Sequence, residues 1–447
     1  MTDLSTESKG QPSLGAGNSP NIDEALAEAQ SRYSEKRPNS LSSHETATQF
    51  MPGGNTRTVL YHGPFPFRAE TGSGATLVDV DGNRLLNLLG EYTAGIFGHD
   101  EPRIRDAVSK AMQGGINLGA HNSYEPRFAQ RVCERFPSIE KVRFTNSGTE
   151  ANMMAITAAR AATARSKILV FEGGYHGGVF LFKPGIETNA PFPWIIEPYN
   201  DCDRARAAIR EHGPDLAAVL VEPMQGSGGC VLGTADFLSV LREETEAVGS
   251  FLIFDEVMTS RFGRDGAQGL FDIRPDLTTL GKWVGGGMSF GAFGGRSDIL
   301  DLFDPRRADA IAHAGTFQNN VLTMAAGTVA LEDIYTPDVA VALTERGETL
   351  RKRLNAVAET MQVNVRVTGY GSLMNVHPTS KPISNYSDLK AVDDRLRDLL
   401  FLDLLEEGYY IAPRGFIALS LAVTNADLAG FVDAFERVLM HRRAYLS

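Results

Sequence analysis

The chain has 447 residues, 43% hydrophobic and 22% charged, which permits a large core and excludes a wholly disordered chain. Its 43 basic and 55 acidic residues leave a net charge of −12 with no basic block, which argues against a protein that grips nucleic-acid phosphates. Apolar runs such as Leu216–Val221 fall far short of the ~20 residues of a membrane span. Cys133, Cys202 and Cys230 form neither a disulfide framework nor a metal-ligand spacing, as suits a reducing compartment. The expectation is a soluble cytoplasmic protein without a metal.

In chain order, residues 1–21 are rich in Ser, Gly, Thr and Pro and read as a disordered leader. They have neither the apolar stretch of a secretory signal nor the arginines of a transit peptide. Asn21 is placed to cap a helix over about 22–36. Two strand-like runs flank Asp81-Gly82, a hairpin signal. Helical patterns come next, over 101–112 and 124–136. From Lys141 to about Gly295 short apolar runs alternate with helical stretches: strands over 142–145, 167–171, 217–222 and 251–255, helices over 148–162, 204–211 and 234–248. Fully apolar strands separated by helices imply βαβ units and an α/β sheet covered on both faces. Beyond Asp338 long helices (340–361, 389–407, 425–443) and short strands (363–367, 417–421) predict an α+β region. The predicted division is 22–90 and 338–447 for a small composite domain, with 91–337 as the large one.

Three segments carry chemistry. In Phe144-Thr-Asn-Ser147-Gly148-Thr149-Glu150 a strand runs directly into a helix, so first-turn amides and two hydroxyls could hold a phosphate. An ordinary helix cap would look the same. In Phe251-Leu-Ile-Phe-Asp255-Glu256-Val257 a carboxylate ends a buried strand, where α/β sheets place ligands; it wants a cation or a strong donor, or it merely caps the next helix. In Leu280-Gly281-Lys282-Trp283 a lysine enters glycine-rich, apolar backbone, so its amine would be desolvated and nucleophilic. A phosphate cradle, a strand-end carboxylate and a buried lysine, in that order, point to pyridoxal phosphate.

The chain closely resembles the class III aminotransferases, fold type I pyridoxal phosphate enzymes. Asn146-Ser-Gly-Thr-Glu-Ala-Asn152, Gly174-Tyr-His-Gly177, Val221-Glu-Pro223, Phe254-Asp-Glu-Val257 and Thr278-Thr-Leu-Gly-Lys-Trp-Val-Gly-Gly-Gly287 carry that resemblance, which spans the chain from about Ile22 onward. It implies Lys282 as the Schiff-base lysine and Asp255 as partner of the pyridine nitrogen. It implies Ser147, Gly148 and Thr149 around the phosphate, with Tyr175 on one ring face and Val257 on the other. Gly315-Thr316-Phe317 matches a segment whose threonine reaches the neighbouring subunit's phosphate, which implies a homodimer with shared sites. Gln318-Asn-Asn then departs from the Ser-Gly-Asn-Pro common in relatives.

Within the family, Pro52-Gly-Gly-Asn-Thr-Arg57 and Pro275-Asp-Leu-Thr-Thr-Leu-Gly-Lys282 are similar to glutamate-1-semialdehyde aminomutases. Glu91-Tyr-Thr-Ala-Gly-Ile-Phe-Gly-His99, Gly287-Met-Ser-Phe-Gly-Ala-Phe-Gly-Gly295 and Ala412-Pro-Arg414-Gly-Phe416 are more similar to β-amino acid (β-phenylalanine) aminotransferases. That second resemblance implies Arg57 on the substrate carboxylate and Arg414, on a mobile loop, on the acceptor's distal carboxylate. The residues beside them, Leu60 and Tyr61, and Phe416, suggest apolar surroundings. The expected activity moves an amino group from a β-amino acid to 2-oxoglutarate or pyruvate; a 2,1-aminomutase is the alternative.

Overall fold

A computed structural model describes residues 21–186 and 188–447; apart from Asn21, the expected leader lies outside them. Asn21 caps the first helix, Ile22–Glu35, by accepting from the Asp23 amide. The Asp81-Gly82 turn joins β2 (Thr76–Asp79) to β3 (Arg84–Asn87) in an antiparallel pair, and an unforeseen strand, β1 (Ala69–Ser73), flanks β2. Exposed polar residues make up most of β1, so it has no hydrophobic period to read.

The central strands are β4 (Lys141–Thr145), β5 (Lys167–Phe171), β6 (Trp194–Glu197), β7 (Leu216–Val221), the short pair β8 (Met224–Gln225) and β9 (Val231–Leu232), β10 (Phe251–Asp255), β11 (Leu277–Gly281) and β12 (Gly291–Gly295). All but β8 and β9 form a seven-stranded sheet in the order β4-β12-β11-β10-β7-β5-β6. Its pairings are parallel except those of β12, which runs against both β11 and β4. Successive side chains of a strand point to opposite faces, and both faces are covered. Ile168, Val170, Leu220 and Ile253 pack with the helix Gly148–Thr163 on one side. Leu169, Phe171, Val219 and Phe254 pack against Phe237 and Leu241 of the helix Ala235–Val248 on the other.

The C-terminal region adds β13 (Arg366–Tyr370), β14 (Leu373–His377), β15 (Tyr409–Tyr410) and β16 (Phe416–Ala418). β13, β14 and β16 form an antiparallel sheet beside the helices Pro337–Met361 and Asn425–His441, whereas β15 pairs in parallel with β3. The helix Asp394–Glu406 packs on Ile22–Glu35, where Arg32 meets Glu406 and Asp403. The helix expected from residue 389 starts later. Asn385 caps a separate turn, Tyr386–Leu389, and Asp393 caps the helix through the Arg395 amide, since each such cap takes up otherwise unpaired amides. The strand expected at 363–367 also shifts, to Arg366–Tyr370.

Candidate active site

Because β4, β5, β7, β10 and β11 run the same way, their carboxyl ends meet along one edge of the sheet, where doubly wound folds bind ligands. Ser147 follows β4, Gly173 follows β5, Glu222 follows β7, Asp255 closes β10, and Lys282 follows β11. The sheet topology alone gathers what the sequence spreads over more than a hundred residues.

Asp255 is 4% exposed, and each of its oxygens has a partner. Oδ1 accepts from the Val257 amide at 3.0 Å, while Oδ2 accepts from Asn152 Nδ2 and lies 2.8 Å from His176 Nδ1. Asn152 is fixed in turn. Its Oδ1 accepts from Thr279 Oγ1 at 2.8 Å and its Nδ2 also donates to the His176 carbonyl. Thr279 lies opposite Asp255 in the β10–β11 register. Held by so many partners, the carboxylate has its direction set by its neighbours.

Lys282 adopts a left-handed φ of +55°, a cost of order 1 kcal/mol for a residue with a Cβ. The next residue holds it there. Trp283 is wholly buried, donates to Ser260 Oγ at 3.0 Å, and meets the Tyr335 ring edge-on at 4.6 Å. Burial pushes the Lys282 amine down to about 8 from an ordinary 10.5, against the opposing pull of Asp255 and Glu222. Arg414 and Arg57 add to the depression. An amine in that range supplies a nucleophilic fraction at neutral pH.

Ser147 caps the helix Gly148–Thr163, its Oγ accepting from the Glu150 amide. Helix geometry leaves the amides of Gly148 and Thr149 without intrahelical acceptors. Glu150 does not compete for the anion position: it turns back to the Asn146 amide and side chain. Two glycines keep the cradle open. A Cβ on Gly148 would lie 2.9 Å from Val257 Cγ2, and one on Gly177, where φ is +130°, only 2.3 Å from Thr149 Oγ1. The Gly178 amide donates to that same oxygen at 3.3 Å. Tyr175 is held over this edge by its amide, which donates to Glu222 Oε2 at 2.9 Å. Tyr175 is 44% exposed, so it is open to a stacking partner. Glu222 also accepts from the Gly226 amide, and burial pushes its carboxyl up to about 7.

Arg57 and Arg414 come together on one ring, their guanidinium carbons 5.9 and 5.2 Å from the Tyr92 centroid. Tyr92 stacks on Phe416 at 5.7 Å and donates to the Val59 carbonyl. Glu91, Tyr92 and Thr93 all have positive φ, the kind of strain found at functional sites. The expected apolar surroundings hold for Arg414, which also lies 5.4 Å over Phe416. They do not hold for Arg57, which is half exposed and paired with the Glu91 carboxylate rather than enclosed by Leu60 and Tyr61. Thr316 stands apart from this constellation, on an open cleft of about 730 Å³ shared with Ile116, Leu118 and Phe317.

Residues 60–182 and 186–439 match the family model for class III aminotransferases. The chain belongs to the class III aminotransferases. This aminotransferase is 55% identical to a β-phenylalanine transaminase of Variovorax paradoxus over 92% of its own length and 95% of that protein's. The crystal structure of a β-phenylalanine aminotransferase from Variovorax paradoxus superposes with a TM-score of 0.94 at 54% identity, covering 95% of this chain and 99% of that one. A glutamate-1-semialdehyde 2,1-aminomutase of Geobacillus kaustophilus is 36% identical over 90% of this chain and 98% of its own. The family's cofactor is pyridoxal phosphate, and the aminotransferase's residues fit it. They offer an anion cradle kept open by glycine, an oriented carboxylate and a depressed lysine at one sheet edge. Sequence reasoning assigned no role to Asn152, His176, Glu222 or Tyr92. All four lie inside motifs already given, but only the folded arrangement shows Asn152 and His176 aiming Asp255.

Proposed function

We propose that the chain is a homodimeric aminotransferase that takes the amino group from a β-amino acid and passes it to a 2-oxo acid. The observation that carries this reading is the pair Arg57 and Arg414 gathered on the Tyr92 ring, two cations for two carboxylates in turn. The Variovorax relative's activity supports the donor class. When bound, pyridoxal phosphate supplies an electron-withdrawing ring and a carbonyl that carries the amino group. Ser147, Gly148 and Thr149 would hold its phosphate, Tyr175 and Val257 its two ring faces, and Asp255 the proton on its ring nitrogen. Lys282 would anchor the cofactor, and its Nζ, when free, would take the proton from the substrate carbon bearing nitrogen and hold it as an ammonium. Arg57 exchanges Glu91 for the substrate carboxylate, and Arg414 serves the acceptor.

A second copy would cover the exposed apolar residues Ile116, Leu118 and Phe317 and bring Thr316 to a neighbouring phosphate. The domain division at 90/91 and 337/338 belongs to the same proposal; pairing of β3 with β15 supports a composite small domain. A cytoplasmic location is likewise part of the proposal. Among the described residues no helix is long and apolar enough to cross a membrane.

The test supplies β-phenylalanine with 2-oxoglutarate or pyruvate and follows glutamate or alanine. Product formation dependent on both partners is expected. Failure with both acceptors, together with conversion of glutamate 1-semialdehyde to 5-aminolevulinate, would replace this reading by the aminomutase.

A further inference from the structure

Beside Arg414 lies a cavity of about 230 Å³ that Lys183, Lys390, Arg397 and Asp394 also line. Two of its four cations are neutralised locally. Lys390 Nζ is 2.8 Å from Glu172, and Arg397 pairs with Asp394. Lys183 and Arg414 have no carboxylate partner among the described residues. Among the described residues the Lys183 Nζ has only the Tyr386 ring, 5.6 Å away, and the buried Arg414 Nε has no acceptor.

The chain leaves Lys183 little freedom to escape. Tyr175 and Leu181 form a bridge, Gly173 donates to the Phe182 carbonyl at 2.7 Å, and Phe182 donates to Gly174 at 2.9 Å. This hairpin returns the backbone alongside Tyr175 and delivers Lys183 to the cavity immediately afterwards. Burial first, and then Arg414, depress the Lys183 amine, as expected of two cations sharing a poorly hydrated space. Like charges so placed are costly unless an anion completes them. The same cavity offers Asn375 Oδ1 and His377 Nδ1, both buried and lacking partners, for N–H groups that the anion leaves over.

We propose that Lys183 and Arg414 form a two-cation clamp for the distal carboxylate of the acceptor, which makes the acceptor a dicarboxylic 2-oxo acid rather than a monoacid such as pyruvate. The clamp rests on the aminotransferase reading for its use, but not for its existence. Lys183 is a specificity residue: it touches the end of the acceptor remote from the reacting carbon.

Glutarate and valerate, a diacid and a monoacid of equal chain length, separate the two. Titrated into the holoenzyme by calorimetry, glutarate is expected to bind at least about tenfold tighter than valerate. Lys183→Met should remove about tenfold of the glutarate affinity and leave valerate within about twofold, while Lys183→Arg should retain glutarate binding. The ratio of kcat/KM for 2-oxoglutarate to that for pyruvate should fall in parallel in Lys183→Met. Equal affinities in the wild type, or equal losses for both acids in Lys183→Met, overturn the clamp. Glutarate preference in a protein that does not transaminate β-phenylalanine would sink the functional reading and leave the clamp standing.

Discussion

Lys282 is held where its charged form is disfavoured, so removing it should stabilise the apoenzyme. The depression from 10.5 to about 8 is a difference of about 2.5 units, and at ~1.36 kcal/mol per unit that is about 3 kcal/mol. The sign comes from proton counting. Below pH 8 the amine is charged in both folded and unfolded chains, and the folded state bears the whole penalty. Between 8 and 10.5 the unfolded chain binds more protons, so wild-type stability rises with pH until the penalty is gone. Lys282→Met keeps a similar volume without the charge. In urea, with cofactor removed and protein concentration fixed, the variant should exceed the wild type by about 3 kcal/mol at pH 7. At pH 10 most of that gain should have vanished. A gain independent of pH, or a loss at pH 7, would show that desolvation of the amine does not set its pKa.

Asp255→Asn should keep cofactor bound yet slow single-turnover proton transfer by about 10²-fold or more; stopped-flow rates near wild type would remove Asp255 from its role. Gly177→Ala forces a Cβ to within 2.3 Å of Thr149 Oγ1 at a left-handed φ. It should weaken pyridoxal phosphate binding by at least about tenfold, measured by equilibrium titration; unchanged affinity would mean that Thr149 is not part of the cradle. Arg57→Ala should impair both half-reactions by about 2 kcal/mol, the lower end for such pairs because Arg57 is half exposed. Arg414→Ala should damage mainly the half-reaction with 2-oxoglutarate, and separate stopped-flow analysis of each half distinguishes the two.

The apolar strands were legible because burial on both faces leaves an unbroken hydrophobic run, as in β5 and β10, whose limits match the expected ones. β12 was not, since its five residues are Gly, Ala, Phe, Gly and Gly, and its place depends on what packs beside it. At the site the same division holds. Ser147, Asp255 and Lys282 announce themselves by lying where a strand ends. Asn152 and His176 act through positions fixed only when Gly148–Thr163 crosses behind β10 and β11. Glu91 was invisible as Arg57's partner because 34 residues separate them and the contact depends on three successive left-handed residues, which no local propensity favours.

The pairing of β3 with β15 has a consequence for the nascent chain. Leu86 and Asn87 meet Tyr409 and Tyr410, so one edge of the first sheet waits for a partner made roughly 320 residues later, about 15–60 s at ordinary rates of synthesis. Over the same interval the helix Ile22–Glu35 lacks the Asp394–Glu406 surface against which it packs. The central sheet can close from segments that emerge in sequence, but the helix Ile22–Glu35 and the β3 edge are among the last to be satisfied. During that wait the ribosome-bound chain offers an open strand edge, and it is there that holding chaperones would act and that premature pairing between neighbouring nascent chains would begin.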